Sequence, residues 1–313
     1  ARWARHICRM LEKTPGLINA HDHLHFALFP RLGRGPYEDA AAWARDIQHS
    51  EEEQISLHRR VPKELRLVWG GLRNLLAGVT EVCHHDEPHP IFETFPIRVW
   101  THFGWAHSLD FEEDVAAKFR TTPTDQAFVI HLGEGVSERA RREVFLLDEM
   151  GALTERTVLV HAVGLDAEGW SLVAKRGASV IWCPRSNHFL FGRTMDPPPQ
   201  VAVALGTDSP ITAEGDLLDE MAFANAPLSM VTDTARQILR IPHRPDDYVT
   251  PQEVVIAGEV VRSSVPRDGL HLLHIEGRPP AYVRWNISGL VEQTQEALGS
   301  TEIRLAGRRL LQY

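Results

Sequence analysis

The stretch AFVIHLGEGVSERARREVFLLDEMGALTERTVLVH, residues 127–161, contains a complete strand–helix–strand repeat. Two short apolar runs, at its start and at its end, each lead into a histidine. Between these runs Val144, Leu147 and Met150 recur at helical spacing. Gly151 follows as a suitable helix stop. Continuous β-branched runs separated by an amphipathic helix are typical of parallel strands buried on both faces, so this stretch predicts a β–α–β unit.

The same pattern continues on both sides of this unit. Further apolar runs of strand length lie at 16–21, 78–85, 96–103, 178–184 and 201–208. We expect the one missing strand within 104–120, around WAHSL. The region 36–77 is charged and predominantly helical in pattern, and it separates the first two strands. A series of β–α repeats this long predicts an α/β fold of the (β/α)8 TIM-like barrel type rather than an open doubly wound sheet.

Polar residues fall at equivalent places in these repeats. His21, His85, His131, His161 and Asp208 each lie at or just past the carboxyl end of an apolar run. In (β/α)8 barrels this end of the strands carries the active site. A hydrogen-bonded core histidine would explain one or two of these positions, but it is a poor explanation for five.

Histidines are densest in GLINAHDHLHF, residues 16–26, where His21, His23 and His25 alternate. Side chains two apart on a strand point to the same side, and neutral imidazole is a common metal ligand. These residues alone are equally compatible with a metal site and with a polar loop that is rich in histidine.

Composition narrows the range of functions. The 313 residues are 43% hydrophobic and carry a formal charge of −9, which disfavours a nucleic-acid partner. No apolar stretch approaches the roughly 20 residues that span a bilayer, so we expect no membrane association. Three widely spaced cysteines, Cys8, Cys83 and Cys183, and the lack of a signal-peptide core favour a reducing, cytoplasmic compartment.

Several motifs occur together in a fixed order. They are PGLINAHDHL, GVTEV, HLGE, LVHAVGL, CPRSN and LGTDS. In this order they resemble the amidohydrolase superfamily, and specifically its mononuclear-metal branch. That branch includes the cytosine, adenosylhomocysteine and aminofutalosine deaminases and the triazine hydrolases.

The resemblance implies a division of the chain into two parts. A metal-dependent hydrolase barrel is expected over residues 15–265. Residues 1–14 and 266–313 are expected to form a reduced accessory β-sheet from the two chain termini. The segments AYVRWNISG and IRLAGRRLLQY read as strands outside the barrel.

The resemblance also implies a metal-ligand set. It consists of His21, His23, His131 and Asp208, holding one divalent metal ion. Zn²⁺ is the first expectation and Fe²⁺ the second. A register shifted by two residues, with His23 and His25 as the pair, stays open as an alternative. Because none of the four lysines follows a strand-like run, a lysine-bridged pair of metals is disfavoured.

Three residues are the expected catalytic groups. Asp208 accepts a proton from the attacking water, and Glu134 resembles the proton shuttle of the family, which requires a raised pKa. His161 is expected to stabilise the oxyanion. The structural alternatives are a carboxylate in the first turn of a helix for Glu134 and a core histidine for His161.

Substrate contacts are expected from His85, Trp105, His107, Arg185 and Asn187. The implied activity is deamination of an amino-substituted nitrogen heterocycle or a nucleoside-like compound by metal-activated hydroxide. The alternatives are hydrolysis of a cyclic amide or of a C–Cl bond, and a non-catalytic metal-binding barrel. The expected partner is a small-molecule substrate, and a homodimer is possible.

Overall fold

Eight parallel strands form the wall of a (β/α)8 barrel in the computed structural model, as the sequence predicted. Its described residues are 16–95, 97–243, 271–277, 281–283 and 287–312. The strands are β1 (Leu17–Asp22), β2 (Val79–His84), β3 (Arg98–Trp100), β4 (Gly104–Ala106), β5 (Phe128–Leu132), β6 (Thr157–His161), β7 (Ser179–Trp182) and β8 (Val203–Leu205).

The wall consists of two hydrogen-bonded sheets. One has the order β1–β2–β3 and the other the order β4–β5–β6–β7–β8. Asp22, at the end of β1, forms a parallel bridge with Asp208 just after β8, so the two sheets meet there. On the opposite side residues 101–103 alone join β3 to β4. The strand expected around WAHSL is β4, which pairs with β5 from Gly104 to Ala106.

Helices connect most of these strands. They are α1 (Ala40–Ser50), α2 (Glu52–Arg59), α3 (Lys63–Leu76), α4 (Val115–Thr121), α5 (Glu138–Glu149), α6 (Ala167–Arg176), α7 (Pro184–Phe191), α8 (Leu217–Ala224), α9 (Asp233–Ile238) and α10 (Ile287–Leu298). Short 3-10 turns lie at Leu24–Phe26, Pro90–Thr94 and Leu228–Val231. The predicted helical region between the first two strands is thus confirmed as α1 to α3. None of the helices in the described ranges is both long and apolar enough to cross a membrane.

The helix α5 shows how local sequence sets these elements. It begins where the Ser137 side chain accepts a hydrogen bond from the Ala140 amide, which caps the first turn. Val144 and Leu147 are buried in the core. Met150, which the helical pattern assigned to the same face, is 45% exposed and lies one residue past the end of the helix at Glu149.

A small antiparallel sheet follows the barrel. Its strands are β9 (His271–Ile275), β10 (Ala281–Val283), β11 (Arg304–Leu305) and β12 (Arg308–Gln312), in the order β10–β9–β12–β11. The prediction that AYVRWNISG is a strand is correct only at its start, because α10 begins at Ile287. The predicted contribution of residues 1–14 and the predicted boundary at 265 lie outside the described residues.

The small sheet packs on α3 of the barrel. Leu273 and Ile275 of β9 belong to one apolar cluster with Trp69 and Leu72 of α3. The Trp69 indole N–H donates to the Thr294 hydroxyl of α10 at 2.8 Å. Arg73 and Asn74 of α3 contact Asp22 at the carboxyl end of β1. The packing of the small sheet on α3 therefore connects that sheet to the carboxyl end of the barrel strands.

Candidate metal centre and active site

Three histidines and an aspartate meet at the carboxyl end of the barrel strands. His21 Nε2 lies 3.1 Å from His131 Nε2, and His23 Nε2 lies 3.3 Å from the same atom. Asp208 Oδ1 lies 3.8 Å from His21 Nε2 and 3.7 Å from His23 Nε2. All four side chains are buried. We call His21, His23, His131, His161 and Asp208 the primary group.

This donor set fits a divalent metal ion. A tetrahedral Zn²⁺ with bonds of about 2.0–2.1 Å separates its ligand atoms by about 3.3–3.4 Å, close to the distances here. Burial, followed by the neighbouring imidazoles, lowers the pKa of His21 and His131 well below the usual value. Both rings are therefore neutral at pH 7, with lone pairs available for a cation. Ligand atoms of His21, His131, His161 and Asp208 all lie within 4.8 Å of one another.

A backbone carbonyl orients His131. Its Nδ1 donates to the carbonyl oxygen of His107 at 2.7 Å, which leaves Nε2 directed at the primary group. Metal-binding histidines characteristically donate their second ring N–H in this way.

Asp208 is oriented by two hydroxyls. Its Oδ2 accepts hydrogen bonds from Ser186 Oγ at 2.6 Å and from Thr212 Oγ1 at 2.7 Å. Oδ1 is the oxygen that faces the histidines. The backbone of Asp208 is left-handed, with φ of 57°, an uncommon conformation for a residue other than glycine. Sequence reasoning missed both residues, although Ser186 lies within the CPRSN motif and Thr212 lies three residues after the LGTDS motif.

A buried polar network supports the end of β1. Asp22 forms an ion pair with Arg73 of α3 and accepts a hydrogen bond from Asn74 Nδ2 at 2.7 Å. Asn19 Nδ2 donates to Thr207 Oγ1 at 2.8 Å, beside Asp208. Burial raises the pKa of Asp22, and the positive charge of Arg73 opposes that change. Sequence reasoning missed this network because Arg73 and Asn74 lie in a helix with no motif.

His161 enters the site through an irregular backbone. Leu159, two residues earlier, packs with Ile130 and Val144 on the helix side of the wall. Strict alternation along β6 would place His161 on that same side. Left-handed φ values of 74° at His161 and 52° at Ala162 reorient the chain, and the His161 ring stacks on His131 at a centroid distance of 5.3 Å.

Two partners contact the ring of His161. Its Nδ1 donates to Asn187 Oδ1 at 2.7 Å, and its Nε2 lies 3.4 Å from Glu134 Oε1. With Nδ1 as donor, Nε2 carries a proton only in the imidazolium form. Nε2 has no hydrogen-bond partner among the described residues, so it stays available to a molecule bound in the site.

Glu134 has the electrostatic property that proton transfer requires. Burial raises its pKa to about 7, and the carboxylates of Asp208 and Asp39 act in the same direction, while His161 opposes them. A group with this pKa both holds and releases a proton at neutral pH. Glu143 of α5 has a pKa raised to about 7 by burial as well, and it accepts a hydrogen bond from the Gly133 amide at 2.7 Å.

A cavity of about 530 Å³ opens above the primary group. The predicted substrate residues His85, Trp105 and His107 line it, together with Glu134 and Asp208. Its outer wall is largely apolar and includes Phe26, Phe29, Leu32, Trp43, Ile47 and Phe111. A chamber with a polar floor and apolar walls suits a ring compound with a few polar substituents.

Two residues that were predicted to contact substrate do not line the cavity. Asn187 is fully buried and accepts the hydrogen bond from His161, so it is not among the residues that line the cavity. Arg185 is also absent from the lining, and its backbone amide donates to Glu220 Oε2 at 3.1 Å. The structure therefore places Asn187 as a positioning partner of His161.

The alternative ligand pair, His23 with His25, is not the pair that the structure brings together. His21 and His23 both face His131, whereas His25 Nδ1 lies 3.4 Å from Asp86 Oδ2.

Comparison with known proteins gives partial sequence relatives, and no family model matches the chain. An aminodeoxyfutalosine deaminase of Deinococcus radiodurans is 45% identical over 85 residues, which are 25% of this chain and 20% of that protein. A 5-methylthioadenosine/S-adenosylhomocysteine deaminase of Nitratidesulfovibrio vulgaris is 31% identical over 166 residues, 47% of this chain and 32% of that protein. The matched stretches thus span a third or less of these curated relatives.

Solved structures share the fold at low sequence identity. A triazine hydrolase from Arthrobacter aurescens aligns with a TM-score of 0.62 at 15% identity, covering 91% of this chain and 87% of that one. An atrazine chlorohydrolase from the same species, solved with zinc, aligns with a TM-score of 0.54 at 16% identity, covering 94% and 82%. The chain is therefore similar in part of its sequence to these deaminases, and it shares the barrel fold of the triazine and atrazine hydrolase structures.

Proposed function

We propose that this chain is a metal-dependent aminohydrolase that removes an exocyclic amine from a nitrogen heterocycle or a nucleoside-like compound. One observation carries the proposal. The Glu134 carboxyl, with a pKa of about 7, lies 3.4 Å from His161 at the floor of a cavity that also exposes Asp208. Deamination of such a ring needs a proton donor and acceptor at this position, next to a source of hydroxide.

The primary group would hold one Zn²⁺ or Fe²⁺ through His21, His23, His131 and Asp208. When bound, such an ion lowers the pKa of water and so supplies hydroxide at neutral pH. None of the lysines in the described ranges lines the cavity above the primary group, which supports one ion rather than a lysine-bridged pair.

Each catalytic side chain has a distinct part in the proposed reaction. Asp208 accepts the proton of the attacking water at Oδ1, because Oδ2 already accepts two hydroxyl hydrogen bonds. Glu134 protonates the ring nitrogen beside the amine-bearing carbon, then takes the proton of the new C–OH group and passes it to the leaving amine. The proton held by Asp208 then returns to Glu134. A C–O bond forms, the C–N bond breaks, and ammonia leaves. His161, whose Nε2 lies 3.4 Å from Glu134 Oε1, stabilises the developing oxyanion.

An ammonia-release screen tests this proposal. Protein loaded with Zn²⁺ or with Fe²⁺ is assayed against amino-heterocycles and nucleosides, with Glu134→Gln as the matched variant. We expect turnover of at least one ring amine, reduced about 10²- to 10⁴-fold in Glu134→Gln, with metal content unchanged. Folded, metal-loaded protein that releases no ammonia from any ring amine contradicts the proposal. Product analysis that detects chloride or a ring-opened amide instead would favour the alternative hydrolyses.

We also propose a reducing, cytoplasmic location. Cys83 and Cys183 are buried free thiols, and unpaired cysteines are typical of such compartments. Fractionation of the native host with an antibody against this chain tests the location, and recovery outside the cytoplasmic fraction contradicts it.

A further inference from the structure

A second set of possible metal ligands lies beside the primary group. His25 belongs to the short turn after β1, His84 is the last residue of β2, and Asp86 follows two positions later. One ligand atom from each of these three residues lies within 4.8 Å of the other two. We call them the second group, and it shares no member with the primary group. We propose that the second group binds a further Zn²⁺-like divalent ion through two imidazole nitrogens and one carboxylate.

His84 carries the strongest signal. Its ring is 2% exposed, and its Nε2 has no hydrogen-bond partner among the described residues. Its Nδ1 lies 3.3 Å from the carbonyl oxygen of Asp22 and 3.3 Å from the backbone amide nitrogen of Leu24. If Nδ1 donates to that carbonyl, Nε2 presents a lone pair, which is the tautomer that metal-binding histidines adopt. A buried and unpaired ring nitrogen is costly, and a cation would satisfy it.

His25 and Asp86 connect the second group to the cavity. His25 Nδ1 is also buried without a hydrogen bond and lies 3.4 Å from Asp86 Oδ2. Both residues line the cavity, so an ion can reach the second group through this space. With three protein ligands, a tetrahedral ion keeps one position open towards the cavity.

Lys63 competes for the same carboxylate. Its Nζ lies 2.9 Å from Asp86 Oδ2, and its side chain is 42% exposed. Exposed ion pairs of this kind are weak, so the ammonium can move into solvent when a metal ion binds. The second ion is therefore expected to bind more weakly than the ion of the primary group, and removal of Lys63 is expected to strengthen it.

Metal stoichiometry tests this inference without any substrate. Protein without a histidine tag is equilibrated at a series of buffered free Zn²⁺ concentrations, and bound zinc per chain is measured by mass spectrometry. We expect two binding steps in the wild type. His84→Gln and Asp86→Asn should each keep the tighter step and lose the weaker one. Lys63→Met should tighten the weaker step about two- to fivefold, whereas Lys175→Met, at an exposed lysine of α6, should leave it unchanged.

Two results would overturn the inference. The first is a single binding step in the wild type, and the second is a weaker step that persists in both His84→Gln and Asp86→Asn. Asp86 is only partly buried, so its variant keeps the test valid if substitution of the buried His84 prevents folding. Co²⁺ titration adds an independent measurement. The visible absorption that the second equivalent of Co²⁺ adds in the wild type should be absent in Asp86→Asn.

Discussion

The primary group and the second group lie at the same end of the barrel and differ in what supports their ligand atoms. In the primary group, a backbone carbonyl holds His131, and two hydroxyls hold the outer oxygen of Asp208. In the second group, Asp86 Oδ2 faces the half-exposed ammonium of Lys63, and His84 Nδ1 has two long backbone contacts, each at 3.3 Å, to the Asp22 carbonyl and the Leu24 amide.

This difference shows that ligand type alone does not define a metal site. Both groups offer imidazole and carboxylate, but short hydrogen bonds orient His131 and Asp208 of the primary group, whereas the second group shares its carboxylate with Lys63. Such outer partners typically change metal affinity or activity 10- to 100-fold. We therefore expect a tight primary ion and a weak second ion, and the following experiments test that contrast in order of decreasing effect.

The largest effect is expected from Asp208→Ala. This substitution removes the carboxylate ligand and proton acceptor of the primary group, so the tighter zinc step and the proposed activity should both disappear. The weaker zinc step should remain, because Asp208 is not a member of the second group. Zinc binding and ammonia release measure the two outcomes. Retention of the tighter step in this variant would contradict the proposed ligand set.

Asp22→Asn tests the network behind β1. It leaves the buried Arg73 guanidinium without its countercharge, and breaking a buried ion pair costs about 3–5 kcal/mol of unfolding free energy. The control is Asp148→Asn, which breaks the exposed pair with Arg176 and should cost less than about 1 kcal/mol. Urea unfolding measures both, and equal losses would show that the network does not support the primary group in the way described.

Glu220→Gln tests the hydrogen bond that Glu220 accepts from the Arg185 amide at the start of α7, in the CPRSN segment. Burial raises the pKa of Glu220 from 4.5 to about 8. Between these values the unfolded chain releases a proton that the folded chain keeps, so unfolding free energy should fall as pH rises from about 4.5 to about 8. Each pKa unit corresponds to about 1.4 kcal/mol, which gives a decrease on the order of 3–5 kcal/mol. The glutamine variant still accepts the Arg185 amide hydrogen bond, and it should show a flatter pH profile of urea stability. An unchanged profile would contradict the assignment.

The smallest effects are expected from the hydroxyls on Asp208. Ser186→Ala and Thr212→Val each remove one of the two hydrogen bonds to Asp208 Oδ2. The carboxylate of Asp208 is then held less firmly in the orientation that directs Oδ1 at the histidines. We expect each to weaken the tighter zinc step or the activity about 10- to 100-fold, with the weaker step unaffected. Ser171→Ala, at an exposed serine of α6, is the matched control. If both hydroxyl variants behave like this control, orientation does not explain the contrast between the two groups.

Some of this site could be predicted from local pattern. Apolar runs located the strands, and the polar residue after each run located the residues of the rim, including His131, His161 and Asp208. The requirement for a raised pKa at Glu134 also followed from its proposed role, and burial supplies it. These predictions succeed because the carboxyl ends of parallel barrel strands necessarily meet at one rim.

Other features could not be predicted in this way. Asn187 was expected to touch substrate, but the fold turns it towards His161. Arg73 and Asn74 lie on a helix whose sequence shows only an amphipathic pattern, and their importance depends on contact with Asp22, 51 and 52 positions away. The apolar pattern also predicted a strand over AYVRWNISG, residues 281–289, but α10 already begins at Ile287.

The sequence by itself determined that alternating strands and helices close into a barrel, because burial on both faces imposes a repeating apolar pattern that is local in the chain. It also determined which residues stand at the rim. Only the tertiary structure decided that His21 and His23 face His131 while His25 faces Asp86, and which oxygen of Asp208 is free. Those choices depend on left-handed backbone at the strand ends and on hydrogen bonds between residues far apart in sequence, and neither leaves a periodic signal in the chain.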